Sequence, residues 1–164
     1  MKAEGWDKYT NHPADRGGPT KWGITLKKWS EWRGHICTGV NVQAITEPQA
    51  RDFYEKLYII EPRFNLLPKR IMPLVVDCGV NHGVRCASKW VQRAVGTKQD
   101  GRLGPISLKA ANDANHLATH LLIVAMRVKL YGRLVSSDHS QAVFAAGWNN
   151  RAAKFLITLA QSLK

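Results

Sequence analysis

Apolar residues recur at helical spacing through most of the chain after residue 45. Thr46 precedes Glu47 and Pro48, and a threonine cap followed by proline in the first turn is typical of a helix start. One apolar face follows, formed by Ala50, Phe53, Tyr54 and Leu57. The pattern predicts a helix from Glu47 to about Ile59.

The same spacing predicts helices on both sides of this one. They span residues 26–32, 68–82, 84–95, 117–134 and 139–162. The apolar stripe of the long helix over 117–134 consists of Leu121, Val124, Ala125, Val128 and Tyr131. Residues 34–45 are expected to be a polar connection, and no alternation long enough for a useful β-strand is present. We therefore expect an all-α fold of about six or seven helices.

The first 25 residues follow a different pattern, dense in residues that form turns. These residues are Asn11, Pro13, Gly17, Gly18, Pro19 and Gly23. Such residues supply or fix unusual φ values, so the stretch from Glu4 to Thr25 is predicted to be an ordered loop. Loops that a scaffold holds in place are frequent positions for catalytic groups.

Two carboxylates, Glu4 and Asp15, lie in this loop in contrasting surroundings. Glu4 is followed by Gly5 and Trp6, whose apolar surface favours a carboxyl group that keeps its proton. Asp15 lies in a polar, glycine-rich setting and is expected to stay ionised. Two carboxyl groups that differ in this way are typical of the acid and its partner in glycosidic cleavage. The alternative interpretation is a solvated glutamate and a turn aspartate.

Charge indicates the class of partner but does not identify it. The 164 residues contain 24 Lys+Arg and 12 Asp+Glu, a net charge of +12. This balance favours an anionic partner, such as a cell-wall polymer, a lipopolysaccharide, a nucleic acid or a membrane surface. No apolar segment of a secretory signal is present, and Leu121–Met126 is far shorter than the about 20 residues that cross a bilayer. We expect synthesis in the cytoplasm and no transmembrane segment.

Cysteine and histidine positions give little reason to expect a metal. The three cysteines, Cys37, Cys78 and Cys86, do not form the even set of a disulfide framework. Cys78, His82 and Cys86 are four residues apart, but Gly83 interrupts the helix and zinc needs a fourth ligand. Buried thiols are the simpler interpretation, and no metal or cofactor is predicted. His116 and His120 are expected on a solvated helix face.

Residues 11–25 read Asn-His-Pro-Ala-Asp-Arg-Gly-Gly-Pro-Thr-Lys-Trp-Gly-Ile-Thr. Together with Glu4-Gly5, this stretch resembles the box of the phage-type N-acetylmuramidases of glycoside hydrolase family 108, Asn-x-Pro-x-Asp-x-Gly-Gly-x-Thr-x-x-Gly-Ile-Thr. That family includes prophage endolysins and secretion activator proteins. The resemblance implies a lysozyme-like fold and hydrolysis of the β-1,4 bond between N-acetylmuramic acid and N-acetylglucosamine in peptidoglycan.

The resemblance also implies roles for individual residues. Glu4 stands where the family has its catalytic glutamate and takes the role of general acid. Asp15 and Thr20 match the aspartate and threonine of the wider phage-lysozyme group. Asp15 would stabilise charge or direct water, and Thr20 would help to hold that water. Tyr9 and Thr25 are predicted to contact substrate. We favour inversion at the anomeric centre, because no second carboxylate has the position of a nucleophile.

Two departures from the family pattern bear on activity. Trp6 replaces the second glycine of the box, and Tyr9 comes about two residues later than the family's tyrosine. Only three residues precede Glu4, where the family has a helix of roughly four turns. A chain without that helix is expected to hold Glu4 poorly, which leaves open whether Met1 is the natural start.

A second resemblance covers about residues 75–112. Asp77…Asn81-His82-Gly83 and Asp100-Gly101-x-x-Gly104-Pro105 are similar to the predicted peptidoglycan-binding portion joined to the same family. The segment 147–151 resembles the family's closing Gly-Trp-x-x-Arg. Asn81 and His82 are predicted to reach a cleft, although Asn81 equally fits a helix C-cap. The turn at 100–105 equally fits a connector between helices.

These observations give a catalytic portion over residues 1–66 and a helical peptidoglycan-binding-like portion over 67–164, packed into one compact domain. The expected partners are peptidoglycan glycan strands and the anionic cell-wall surface, with no nucleic acid. Action in the periplasm or cell wall would follow release through a holin-type hole or a secretion system. Two alternatives stay open: a non-catalytic protein that binds peptidoglycan or serves secretion, and, on charge alone, a nucleic-acid-binding protein.

Overall fold

The computed structural model describes residues 7–11 and 18–164 of the chain. Helices dominate this part, which confirms the predicted all-α class. Its eight α-helices are α1 Leu26–Arg33, α2 Gly39–Gln43, α3 Glu47–Glu55, α4 Met72–His82, α5 Val84–Ala94, α6 Pro105–Asp113, α7 His116–Ser137 and α8 Ala142–Gln161. Two strands, β1 Thr20–Lys21 and β2 Ile24–Thr25, form an antiparallel hairpin before α1.

Contacts divide the chain into two compact units, with the division between Leu57 and Tyr58. The predicted boundary after residue 66 stays a prediction. In the first unit, Thr46 caps α3 and Gln49 Oε1 accepts a 2.9 Å hydrogen bond from the Thr46 N–H. α3 continues as a π-helical turn over Lys56–Ile60, so the predicted end near Ile59 is close to the observed one.

The short helix α2 lies where the sequence predicted a polar connection. Its start is stabilised by Asn41, whose side-chain oxygen accepts a 2.8 Å hydrogen bond from the Thr38 N–H. Val42 is fully buried, whereas Val40 is exposed. A helix of five residues is too short to show an apolar period, and for this reason the prediction was wrong at this segment.

A single apolar core fills the second unit, built from α4, α5 and α7 with contributions from the neighbouring helices. Its fully buried members include Phe64, Ile71, Leu74, Val91 and Ile123. Burial of this kind contributes roughly 1.5–3 kcal/mol per large apolar side chain. Among the described residues, no helix combines the length and the hydropathy of a membrane span.

The buried face of α7 differs from the predicted stripe. Val124 and Tyr131 are buried as predicted, but Leu121 and Val128 are almost half exposed. Arg127 and His120 are buried instead. The prediction that His120 lies on a solvated face is therefore wrong, because its ring nitrogen Nδ1 finds a partner 3.1 Å away in the Arg70 carbonyl.

A buried glutamine holds the turn that connects α5 to α6. Gln92 Nε2 donates to Asp100 Oδ1 at 2.7 Å and to the Arg102 carbonyl at 3.0 Å. Gln92 Oε1 accepts from the Gly101 N–H at 2.9 Å. Gly101 has φ 80°, a conformation that favours glycine. These contacts give the Asp-Gly-x-x-Gly-Pro pattern a structural role in the turn between α5 and α6.

Candidate functional site

The hairpin carries the described part of the predicted catalytic loop. Thr20 pairs with Thr25 across the two strands, and Thr20 also forms two 2.9 Å backbone hydrogen bonds with Thr10. In the sequence, Asp15 lies between Thr10 and Thr20. Glu4 and Asp15 themselves lie outside the described residues.

Thr20 is already engaged in a local contact. Its hydroxyl donates a 2.9 Å hydrogen bond to the Gly18 carbonyl. A threonine hydroxyl has one proton to donate and two lone pairs that accept, so its acceptor capacity stays available. This hydrogen bond orients the Thr20 hydroxyl.

The other two predicted contacts of the first unit have different surroundings. Thr25 is the N-cap of α1, and its hydroxyl accepts from the Lys28 N–H at 3.4 Å. The Tyr9 hydroxyl lies against Gly39, where a Cβ atom would come within 3.0 Å of it. Gly39 therefore gives the Tyr9 hydroxyl its space. Tyr9 and Thr25 stay predicted substrate contacts.

Trp22 connects the hairpin to the helices of the first unit. Its φ is 56° and that of Gly23 is 70°, and positive φ at both central residues is the requirement of a type I′ turn. Such a conformation is unfavourable for a residue with a side chain. Two contacts hold it: the indole N–H donates to the Ile45 carbonyl at 3.1 Å, and the Trp22 carbonyl accepts from the Tyr54 hydroxyl at 2.9 Å.

In the second unit, Asp77 is the centre of a charged cluster. Its Oδ2 lies 2.6 Å from Arg127 Nη1, an ion pair whose geometry departs from that of a hydrogen bond. Its Oδ1 accepts from both Nε and Nη2 of Arg151, at 2.9 and 2.6 Å. The Arg127 side chain is fully buried, and its Nε donates to the Tyr131 hydroxyl. A buried charge requires such partners.

His82 and Asn81 lie at the end of α4 next to this cluster. The His82 ring packs against Trp90 and Tyr131, with centroid distances of 5.4 and 5.7 Å. Burial lowers the pKa of His82 to about 4, and the positive charge of Arg127 acts in the same direction. Asn81 donates to the Asp77 carbonyl at 2.7 Å within its own helix and is otherwise exposed.

Burial raises the pKa of both thiols of the second unit, Cys78 and Cys86. Cys78 is fully buried, and burial raises the pKa of its thiol to about 12. The described residues contain no group of three histidine, cysteine or acidic side chains that is placed to hold a metal ion.

Comparison with known families decides the assignment. A model described as Glycosyl hydrolase 108 matches residues 1–83, just over half of the chain. The chain belongs to glycosyl hydrolase family 108. The family 108 match includes Glu4, Asp15 and the hairpin, and it extends to Asn81 and His82. A second model, described as a predicted peptidoglycan domain, matches residues 86–153.

Similarity to solved structures extends over most of this family 108 chain. The structure of Brucella abortus SagA matches with a TM-score of 0.78 and 27% sequence identity. The match covers 93% of this chain and 86% of the SagA chain. No curated protein matches.

Sequence reasoning missed one residue in each unit of this family 108 chain. Arg127 is three residues from Val124 and four from Tyr131, so a charged residue at an apolar position of α7 was visible in the sequence. Its partner Asp77 lies 50 positions earlier and was noted only as part of a motif. Trp22 gave no signal, because its role depends on a backbone conformation.

Proposed function

We propose that this family 108 protein hydrolyses the β-1,4 bond between N-acetylmuramic acid and N-acetylglucosamine in peptidoglycan. The observation that supports the proposal most directly is the family 108 match over residues 1–83, which contains the complete Glu…Asp…Thr set. The second match, to a predicted peptidoglycan domain, supports the same polymer as substrate.

Glu4 is proposed as the general acid. Cleavage of a glycosidic bond needs a proton on the leaving oxygen while positive charge develops at the anomeric carbon. A glutamic acid supplies that proton when its surroundings disfavour the carboxylate. Trp6, two positions after Glu4, supplies apolar surface of the kind that disfavours a carboxylate, and Gly5 lets a substrate approach the backbone.

Asp15 and Thr20 are proposed to serve the water. An ionised Asp15 stabilises the developing positive charge or takes the proton of the attacking water. The Thr20 hydroxyl donates to the Gly18 carbonyl, so its lone pairs are free to accept a hydrogen bond from that water. Inversion requires about 6.5–9.5 Å between the two carboxyl groups, which leaves room for the water.

The place of action is part of the proposal. Synthesis in the cytoplasm and release through a holin-type hole or a secretion system would bring the protein to the periplasm or cell wall. The net charge of +12 supports this, because a basic protein is held by an anionic wall and is released as salt rises.

Release of reducing ends from purified peptidoglycan tests the proposed chemistry. We expect Glu4→Gln to lower the rate by about 10²–10⁴-fold, the usual contribution of a general acid. Glu31→Gln is the matched control, because Glu31 is an exposed glutamate on α1. NMR of the first product to form assigns inversion or retention.

Two outcomes contradict the proposal. If Glu4→Gln releases reducing ends as fast as Glu31→Gln, Glu4 is not the acid. If the unaltered protein binds peptidoglycan and releases no reducing ends, the protein is a wall-binding module.

A further inference from the structure

A cavity of about 700 Å³ opens within the second unit, lined by residues of α4, α7 and α8 and by the segment before α4. Its charged walls are mostly basic: Lys69, Arg70, Arg151 and Lys154. The acidic residue among them, Asp77, is neutralised by its pairs with Arg127 and Arg151. The cavity thus presents an excess of positive charge to an entering group.

His120 is one of the residues that line this cavity. Its side chain is buried, with the residue 4% exposed, and its Nδ1 lies 3.1 Å from the Arg70 carbonyl. A carbonyl oxygen only accepts, so Nδ1 carries the proton, and Nε2 of the neutral ring is left with a lone pair. This Nε2 is buried and has no hydrogen-bond partner among the described residues.

An unsatisfied buried acceptor is costly, and a ligand that supplies a donor relieves the cost. The remaining walls are apolar and include Leu74, Phe155 and Leu159. The cavity therefore fits a ligand with three features: an anionic group for the basic residues, an N–H for His120 Nε2, and small apolar groups for these walls. The C-terminal end of a peptide has all three within one residue.

We propose that this cavity binds the free carboxyl end of a short peptide. Nε2 of His120 is closed to solvent in the structure, so a small displacement of this side chain on binding lets Nε2 accept the terminal amide N–H. In peptidoglycan this ligand is the peptide stem, so the identity of the peptide rests on the proposed wall function. The site would recognise stems that end in a free carboxylate, and it would not bind a stem whose terminal carboxyl group has become the amide of a crosslink.

Calorimetric titration of the whole protein with the stem pentapeptide ending in D-Ala-D-Ala tests the site. The same peptide with a C-terminal amide removes the negative charge and keeps the rest. We expect the amide to bind at least about ten-fold more weakly, as befits the loss of a charged hydrogen-bonding group. Inorganic phosphate serves as the probe for simple anion binding.

Two variants locate the binding. His120→Asn keeps an amide N–H near the position of Nδ1 and removes Nε2, and we expect about ten-fold weaker binding. Lys154→Ala removes an exposed positive charge with little risk to folding, and we expect about three-fold weaker binding. Lys98→Ala, an exposed lysine that does not line the cavity, should bind the peptide like the unaltered protein.

The proposal is overturned if the acid and amide peptides bind equally, if phosphate binds as tightly as the peptide, or if both variants bind like Lys98→Ala. Reducing-end release distinguishes this proposal from the proposed hydrolysis. Peptide binding without release contradicts the hydrolysis alone, whereas glycan cleavage without peptide binding contradicts the peptide site alone.

Discussion

The hairpin of the first unit and the charged cluster of the second hold polar groups by different means. At the hairpin, the contacts of Trp22 and Thr20 go to backbone carbonyls: those of Ile45 and Gly18. Around Asp77, the contacts join charged side chains from three helices, with Arg127 on α7 and Arg151 on α8. The first arrangement fixes the course of the chain, and the second fixes how helices pack.

This difference indicates where substitutions will affect stability and where they will affect chemistry. A hydrogen bond from a neutral side chain to a backbone carbonyl involves no net charge. When that hydrogen bond is lost, water can often bind the carbonyl oxygen instead. A buried ion pair leaves a charge behind when one partner is removed. We therefore expect the second unit to give the largest stability changes and the first unit to give the largest activity changes.

Asp77→Ala should have the largest effect on stability. It leaves the fully buried Arg127 guanidinium without its counter-charge, and loss of one partner of a buried pair typically costs about 3–5 kcal/mol. Urea unfolding followed by tryptophan fluorescence measures the change in the free energy of unfolding. A change below about 1 kcal/mol would show that Arg127 is stabilised without Asp77.

Arg151→Ala is the matched control, because it removes the other arginine of the same carboxylate. The Arg151 side chain is 48% exposed, and exposed ion pairs contribute about 0–1 kcal/mol. If Arg151→Ala destabilises as much as Asp77→Ala, burial of Arg127 is not the source of the effect.

The sequence predicted six of the eight helices in the described part of the chain and missed α2 and α6. It did not predict which faces of the helices are buried. Caps and proline gave the start of α3 at Glu47, and Gly34 with φ 71° ends α1 as expected of a glycine. On α7, however, Leu121 and Val128 are exposed while Arg127 and His120 are buried. Hydrophobicity orients a helix only when polar residues stay outside, and here ion pairs and a carbonyl hold two of them inside.

For the candidate site, the sequence predicted residue types and not their contacts. The family box located Glu4, Asp15 and Thr20 by resemblance, and the family 108 match covers all three. The hydrogen bond from Tyr54 to the Trp22 carbonyl joins residues 32 positions apart. No local pattern encodes such a contact, because it depends on the packing of α3 against the hairpin.

His82 gives a pH-dependent contribution to the stability of the second unit. Burial lowers the pKa of His82 from 6.5 to about 4. Between these two pH values, His82 is protonated in the unfolded chain and neutral in the folded chain. The contribution is complete above pH 6.5 and is lost as pH falls from 6.5 to 4. We expect about 1–2 kcal/mol, after allowance for a ring that solvent partly reaches.

His82→Gln is the variant that measures this contribution. Its free energy of unfolding should fall less between pH 7 and pH 4.5 than that of the unaltered protein. The difference between the two plots of unfolding free energy against pH gives the contribution of His82. The carboxyl groups titrate in both proteins and cancel. Parallel curves would mean that the folded ring accepts its proton as readily as the unfolded one.

Thr25→Ala should give a smaller effect than the changes at Asp77 and His82, and it addresses the hairpin directly. Thr25 caps α1, and loss of a threonine cap costs about 1 kcal/mol, whereas Thr25→Ser keeps the capping oxygen.

Unfolding and peptidoglycan kinetics separate capping from substrate contact. Capping alone predicts lower stability in Thr25→Ala with unchanged kcat/KM. The predicted substrate contact requires, in addition, a higher KM in Thr25→Ala that Thr25→Ser does not show. A KM change without a stability change would place Thr25 in the chemistry of the loop and not in its scaffold.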